Sequence, residues 1–273
     1  MRFGLCGNLA AAGPDGTGIE IVEKLKEFGY DYVELPLGEM MALSDGEKEL
    51  LIKRLWSSGL KSEVCNNFFP PRIKLTGPET DRKAIRAYYT EAMDFALRLG
   101  TETIVFGSPG AKSYPDGFPR EAAWEQLREL TKEIDEAACA RGLRIAVEPI
   151  RKPECNIVNT FREGVNLARQ VEGKATRVLL DYYHMTWEKE SPEVLEEYGE
   201  WLEHIHFACP YLPGEGERNI PLDFEEWPYE KFRDALKAIH YNKRISIEAY
   251  SRCFDEHAEQ SVKMLKRHFN WDR

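Results

Sequence analysis

The stretch "CARGLRIAVE", Cys139 to Glu148, reads as a helix end, a glycine, a short run of branched apolar residues and a carboxylate. Gly142 stands where a left-handed helix cap favours a residue without Cβ. The apolar run after it has the length and composition of a buried strand. The same order recurs in "KEFGYDYVEL" (26–35), "WSSGLKSEVC" (56–65) and "LRLGTETIVF" (97–106), around Gly29, Gly59 and Gly100. These glycines are spaced by roughly 30 to 40 residues, the length of a helix, a strand and two loops.

Extending that unit in both directions predicts strands at Arg2–Cys6, Tyr32–Leu35, Lys61–Asn66, Thr103–Gly107, Arg144–Glu148, Val178–Asp181, Glu203–Ala208 and Arg244–Glu248. Helical patterns follow at Gly18–Phe28, Asp45–Ser57, Asp81–Leu99, Arg120–Ala140, Thr160–Val171, Pro192–Trp201, Tyr229–Ile239 and Asp255–Phe269. Thr80, Asn159 and Ser191 stand at expected N-caps, and Pro192 suits a first helical position. Strict strand–helix alternation implies a parallel sheet. Eight units in 273 residues fit a (β/α)8 TIM barrel, an α/β fold occupying residues 1–273 as one domain. The rival, a doubly wound open sheet, usually carries GxGxxG after its first strand. The first turn here, "CGNLAAAGPDGTG", lacks it, and nothing reads as an interdomain linker.

A net charge of −10 argues against nucleic acid as partner, because phosphate binding needs a basic face. No apolar run approaches the ~18 residues of a membrane span. The N-terminus lacks the apolar core of a signal peptide. The cysteines, Cys6, Cys65, Cys139, Cys155, Cys209 and Cys253, are scattered without CxxC, the pattern of reduced thiols in a cytoplasmic protein.

A barrel delivers its chemistry at the C-terminal ends of its strands. Those positions carry Glu34 on the second strand, Glu148 on the fifth, Asp181 on the sixth, His206 on the seventh and Glu248 on the eighth. One such acid would be an ordinary helix cap or loop residue. Four polar groups in matching register on consecutive strands form a cluster, and three carboxylates would repel one another unless a cation held them. Glu148, Asp181, His206 and Glu248 therefore read as ligands of one divalent ion, Mn²⁺ first, with Mg²⁺ or Co²⁺ as alternatives. His204 shares the face of His206 one layer deeper and is expected to support it. His184, just past Asp181, falls in a mouth loop. Phe68, Phe69, Phe106, Tyr182, Tyr183, Trp187 and Tyr211 could supply aromatic faces to a sugar or could be packing. "FGSPGAK" after the fourth strand places Lys112 near the mouth but is no phosphate-binding loop.

"EPIRKPECNIVNT" with "LLDYYHM", then "HIHFA", "RNIP" and "SIEAY", resemble the xylose isomerase-like sugar isomerases and epimerases along nearly the whole chain. That family includes ketose 3-epimerases, hydroxypyruvate isomerases and inosose dehydratases. The resemblance implies one metal at Glu148, Asp181, His206 and Glu248, and substrate contacts at Glu154, His184 and Arg218. It also implies a homodimer or homotetramer. Many ketose 3-epimerases have Asn where this chain has Arg151, and the segment between His206 and Arg218 is longer here. Both departures bear on the substrate rather than on the metal.

The expected chemistry is proton abstraction beside a ketose carbonyl through an enediolate, with Glu148 and Glu248 as the acid/base pair. The same scaffold would equally serve a dehydratase or a lyase that cleaves a C-glycoside by elimination. A related apurinic endonuclease would need further ligands than these strand ends offer. A non-catalytic sugar-binding barrel would not need four intact ligands.

Overall fold

The computed structural model describes residues 1–10, 13–212, 216–223 and 229–271. Eight parallel strands close into the expected barrel. They are β1 (Arg2–Cys6), β2 (Tyr32–Pro36), β3 (Val64–Asn66), β4 (Thr103–Phe106), β5 (Arg144–Val147), β6 (Thr176–Asp181), β7 (Leu202–Phe207) and β10 (Arg244–Ile247). Between the last two lies an antiparallel hairpin, β8 (Cys209–Leu212) and β9 (Gly216–Asn219), that the sequence pattern did not announce.

The glycine reading holds in the backbone. Gly29, Gly59, Gly100 and Gly142 all have left-handed φ, between 71° and 92°. The helix Asp45–Ser57 has the expected bounds. Two caps shift by one residue. Asp81, not Thr80, accepts from the amides of Lys83 and Ala84, both at 3.0 Å, while Thr80 bonds the Gly77 carbonyl. Thr160, not Asn159, caps the helix Phe161–Val171 through the Glu163 amide. The Asn159 amide instead donates to the Ile150 and Cys155 carbonyls and braces the loop after β5. The expected helix Pro192–Trp201 is shorter, Val194–Tyr198 followed by the 3₁₀ turn Gly199–Trp201. Pro192 precedes it, and the Val194 amide bonds back to the Ser191 carbonyl in a turn. The expected Gly18–Phe28 helix opens as a 3₁₀ turn, Ile19–Ile21.

Alternation along each strand divides the apolar residues between two cores. Most pack between strands and helices, whereas Tyr32, Val64, Val105, Ala146 and Leu179 form a separate cluster. By the same alternation this second cluster fills the barrel interior beneath its mouth. Gly4 makes room for it: a Cβ there would stand 2.2 Å from the Tyr32 ring. Two residues further along from these interior positions come Glu34, Glu148 and Asp181, of which Glu148 and Asp181 reach the mouth. A register shift between β6 and β7 at Val178/Leu179 brings Asp181 level with His206.

Candidate active site

Glu148, Asp181, His206 and Glu248 are all buried and come together, each offering a ligand atom within 4.8 Å of the others. Adjacent barrel strands supply them, in the spatial order β10, β7, β6, β5. Glu148 and Glu248 lie just past the paired segments, yet their amides still bond to Phe106 and Phe207 carbonyls, both at 3.2 Å. The backbone is thus held in strand register to the last functional residue. The His206 Nδ1 faces both acids, 3.2 Å from Glu148 Oε1 and 2.9 Å from Glu248 Oε2.

Room for this arrangement comes from Gly107, the residue just past β4. A Cβ there would stand 2.0 Å from Glu148 Oε2. Lys112, fully buried after β4, donates to the Glu148 carbonyl at 2.8 Å. Asp181 uses its two oxygens differently. Oδ1 caps the short helix Tyr182–Trp187 through the Tyr183 amide at 2.7 Å and the His184 amide at 3.3 Å. Oδ2 faces the site, 2.8 Å from an Arg218 nitrogen. The strand-end acid is a helix cap and a candidate ligand at once.

Beneath the cluster, Glu34 is fully buried between two imidazoles. Its Oε1 is 2.8 Å from His206 Nε2, and its Oε2 is 2.9 Å from His204 Nε2. Ser246 also donates to Oε2, and Tyr32 bonds Ser246 at 2.8 Å. Burial alone would raise the Glu34 pKa, but the facing imidazoles bring it down to about 2. Burial pulls His206 down, yet Glu248 and Glu34 hold it well above the ordinary imidazole value. His204, dominated by burial, is lowered despite Glu34. For Glu248, burial is outweighed by Arg218 and then His206, so its carboxyl lies well below the usual range.

Cys6, Glu34 and His206 form a second cluster of potential ligand atoms. Its donors are committed elsewhere: both Glu34 oxygens already accept hydrogen bonds, and burial followed by Glu34 pushes the Cys6 thiol well up. The upper cluster fits a divalent ion better. Its acidic side chains crowd one imidazole nitrogen in a buried pocket, and hard oxygens with one imidazole are an appropriate donor set.

The other expected contact residues separate. Arg218 reaches the cluster, bonding the Asp181 and Glu248 carboxylates and, through Nε, the Glu248 carbonyl at 3.1 Å. His184 Nε2 is 3.4 Å from the same guanidinium, and its buried Nδ1 has no hydrogen-bond partner among the described residues. Glu154 sits in an exposed turn, paired with Arg151. Phe68, Phe69 and Phe106 pack on one another in the core, and Tyr182 packs on Phe207 and Phe232, so these rings serve packing. Trp187 and Tyr211 remain exposed. Trp227 lies outside the described residues. The bridging position of Glu34 and the space at Gly107 were missed by sequence reasoning. The period-2 step from Tyr32 to Glu34 was the available signal for the first.

The closed barrel and the cluster at the ends of four adjacent strands define a barrel enzyme with a candidate metal centre. A family model described as xylose isomerase-like TIM barrel matches residues 22–268, and the chain belongs to that family. A D-psicose 3-epimerase from Ruminiclostridium cellulolyticum is 26% identical over 235 residues, covering 85% of this chain and 78% of that protein. An L-ribulose 3-epimerase from Methylomonas sp. is 28% identical over 230 residues, covering 82% of this chain and 75% of that protein. The crystal structure of a D-psicose 3-epimerase with D-tagatose from Clostridium cellulolyticum H10 matches with a TM-score of 0.82 and 22% identity, over 98% of this chain and 99% of that one. With such relatives the chain is placed among the sugar epimerases. No described helix is long and apolar enough to cross a membrane.

Proposed function

We propose that the protein epimerises a free ketose at C3, next to the C2 carbonyl, with Glu148 and Glu248 as the acid/base pair. The observation that carries this reading is the convergence of those two carboxylates, from β5 and β10, on His206 Nδ1. Glu148, Asp181, His206 and Glu248 would hold one divalent ion, Mn²⁺ before Mg²⁺ or Co²⁺. Such an ion supplies the Lewis acidity that makes a C–H beside a ketone removable at neutral pH.

Glu248, kept ionised by Arg218 and His206 against its burial, takes the C3 proton. The C–H electron pair moves into the C2–C3 bond to give an enediolate. Glu148 returns a proton to C3 from the opposite face, and the C2 carbonyl re-forms. Arg218 balances developing charge on the substrate oxygens, and His184, whose Nε2 lies beside Arg218 and Asp181, is a further contact for a substrate hydroxyl. Glu154 contributes from the rim. Two names among the relatives, D-psicose and L-ribulose 3-epimerase, support C3 of a ketose over elimination. We further infer one domain over residues 1–273, a cytoplasmic setting consistent with free thiols, and a homodimer or homotetramer.

The test is incubation with D-psicose, D-tagatose and L-ribulose in D₂O. Deuterium incorporated at C3 with formation of the C3 epimer is expected. Loss of water or release of an aglycone from a modified substrate, without epimer, would replace this reading with the eliminating one.

A further inference from the structure

Arg151, the residue at which the chain departs from many ketose 3-epimerases, is more tightly engaged than its loop position implies. Its guanidinium lies over two rings, 4.8 Å from the Tyr183 centroid and 4.5 Å from that of Trp187. Its edge pairs with Glu154 in its own turn and, at 3.2 Å, with Glu217 on β9. Glu217 also accepts from the Tyr183 hydroxyl at 2.7 Å. Tyr183 in turn lies 5.0 Å from the Arg218 guanidinium.

The next residue after Glu217 is Arg218, which points down to Asp181 and Glu248. Its φ of 55° is unusual for a residue with a side chain and needs the surroundings to hold it. On its far side β9 is fixed by backbone: the Tyr250 amide bonds the Arg218 carbonyl at 2.8 Å, and the Ile220 amide bonds the Tyr250 carbonyl at 3.2 Å. On its other edge it pairs antiparallel with β8, Tyr211 opposite Glu217, and the side chain of Glu217 ties that hairpin to Arg151 and Tyr183. The strand is therefore a strap across the mouth, sewn to the end of β10 and latched to the loop after β5.

We propose that Arg151 is a positioning residue that latches β9 through Glu217 and so sets Arg218 over the acid pair. The role of Arg218 in turnover rests on the proposed epimerase reading, whereas the latch itself does not. A guanidinium suits this place because it offers a flat face to two rings and an edge to two carboxylates together, which an ammonium cannot do.

Hydrogen–deuterium exchange of the full protein tests the latch. In Arg151→Ala, the amides of Gly216–Asn219 should exchange at least tenfold faster, with β5–β7 unchanged as the folding control. Glu217→Gln should act in the same direction, and the double variant should add little to either single one. Unaltered exchange in β9, or fully additive effects, overturns the latch. On a ketose that the wild type epimerises, Arg151→Ala should lower kcat at least tenfold with a smaller change in KM, and Arg151→Lys should restore less than half of that loss. A kcat equal to wild type would show that Arg151 does not position Arg218. If the wild type epimerises no ketose, the epimerase reading fails and amide exchange still decides the latch.

Discussion

Glu34 Oε1 stands 2.8 Å from His206 Nε2, so the ring turns Nδ1 toward Glu148 and Glu248. An imidazole can donate from one nitrogen while the other binds a cation, and a carboxylate behind the ring favours that tautomer. Glu34 is itself kept ionised by His206 and His204 against the cost of its burial. The orientation of the candidate ligand is thus set one layer below the mouth.

Replacing Glu34 with Gln keeps the shape of that layer and removes its charge. Such second-layer changes typically weaken metal affinity by about 10- to 100-fold. Titration of Mn²⁺ against a competing chelator should show a loss of that order in Glu34→Gln. An affinity equal to wild type would mean that His206 is oriented by the barrel wall alone.

Glu148→Gln and Glu248→Gln should each cost at least about 10² in turnover, the lower end of what an acid/base group contributes. Both residues sit at the mouth above a separate apolar layer, so the far-ultraviolet circular dichroism should be unchanged. Chelation with EDTA should silence the wild type and Mn²⁺ should restore it. Indifference to EDTA would remove the metal from the reading, and full activity in either variant would remove the two-carboxylate mechanism.

Gly107 and Gly46 make a contrast between function and stability. A Cβ at Gly107 would meet Glu148 Oε2 at 2.0 Å, whereas one at Gly46 meets nothing within 4 Å. Gly107→Ala should therefore displace the Glu148 carboxylate and lower kcat by at least tenfold. Gly46→Ala, in the first turn of an exposed helix, should leave turnover intact and stabilise by up to about 1 kcal/mol. Thermal melts and initial rates on the two variants check both statements. Wild-type turnover in Gly107→Ala would show that Glu148 does not need the space at the end of β4.

What could be read from sequence was what is encoded locally. The run Ile145–Val147 ending on Glu148, and its counterparts at Asp181, His206 and Glu248, report strand, burial and mouth within a few residues. Boundaries slipped where neighbours compete for one role. Thr80 and Asp81 can both cap, as can Asn159 and Thr160, and loop carbonyls at Gly77, Ile150 and Cys155 decide between them. The parts that were missed join residues far apart in the chain. Glu34 meets His206 across the barrel, Glu217 meets Arg151 across the mouth, and Gly107 matters only because Glu148 lies beside it. No periodicity within one element records such pairings.

Asp181 allows its two roles to be separated by chemistry. Oδ1 caps the helix Tyr182–Trp187, and Oδ2 faces Arg218 and the metal cluster. Asn caps a helix about as well as Asp, while Ala loses the cap at a cost of about 1 kcal/mol. Asp181→Asn should consequently keep the cap and the melting behaviour while weakening Mn²⁺ binding, because the anionic ligand is gone. Asp181→Ala should lose metal affinity as well, and additionally unfold at lower denaturant by that cap energy. Calorimetric metal titration and urea melts on the two variants resolve the prediction. Equal stability in both would show that the cap carries no weight, and undiminished Mn²⁺ affinity in Asp181→Asn would take Asp181 out of the ligand set.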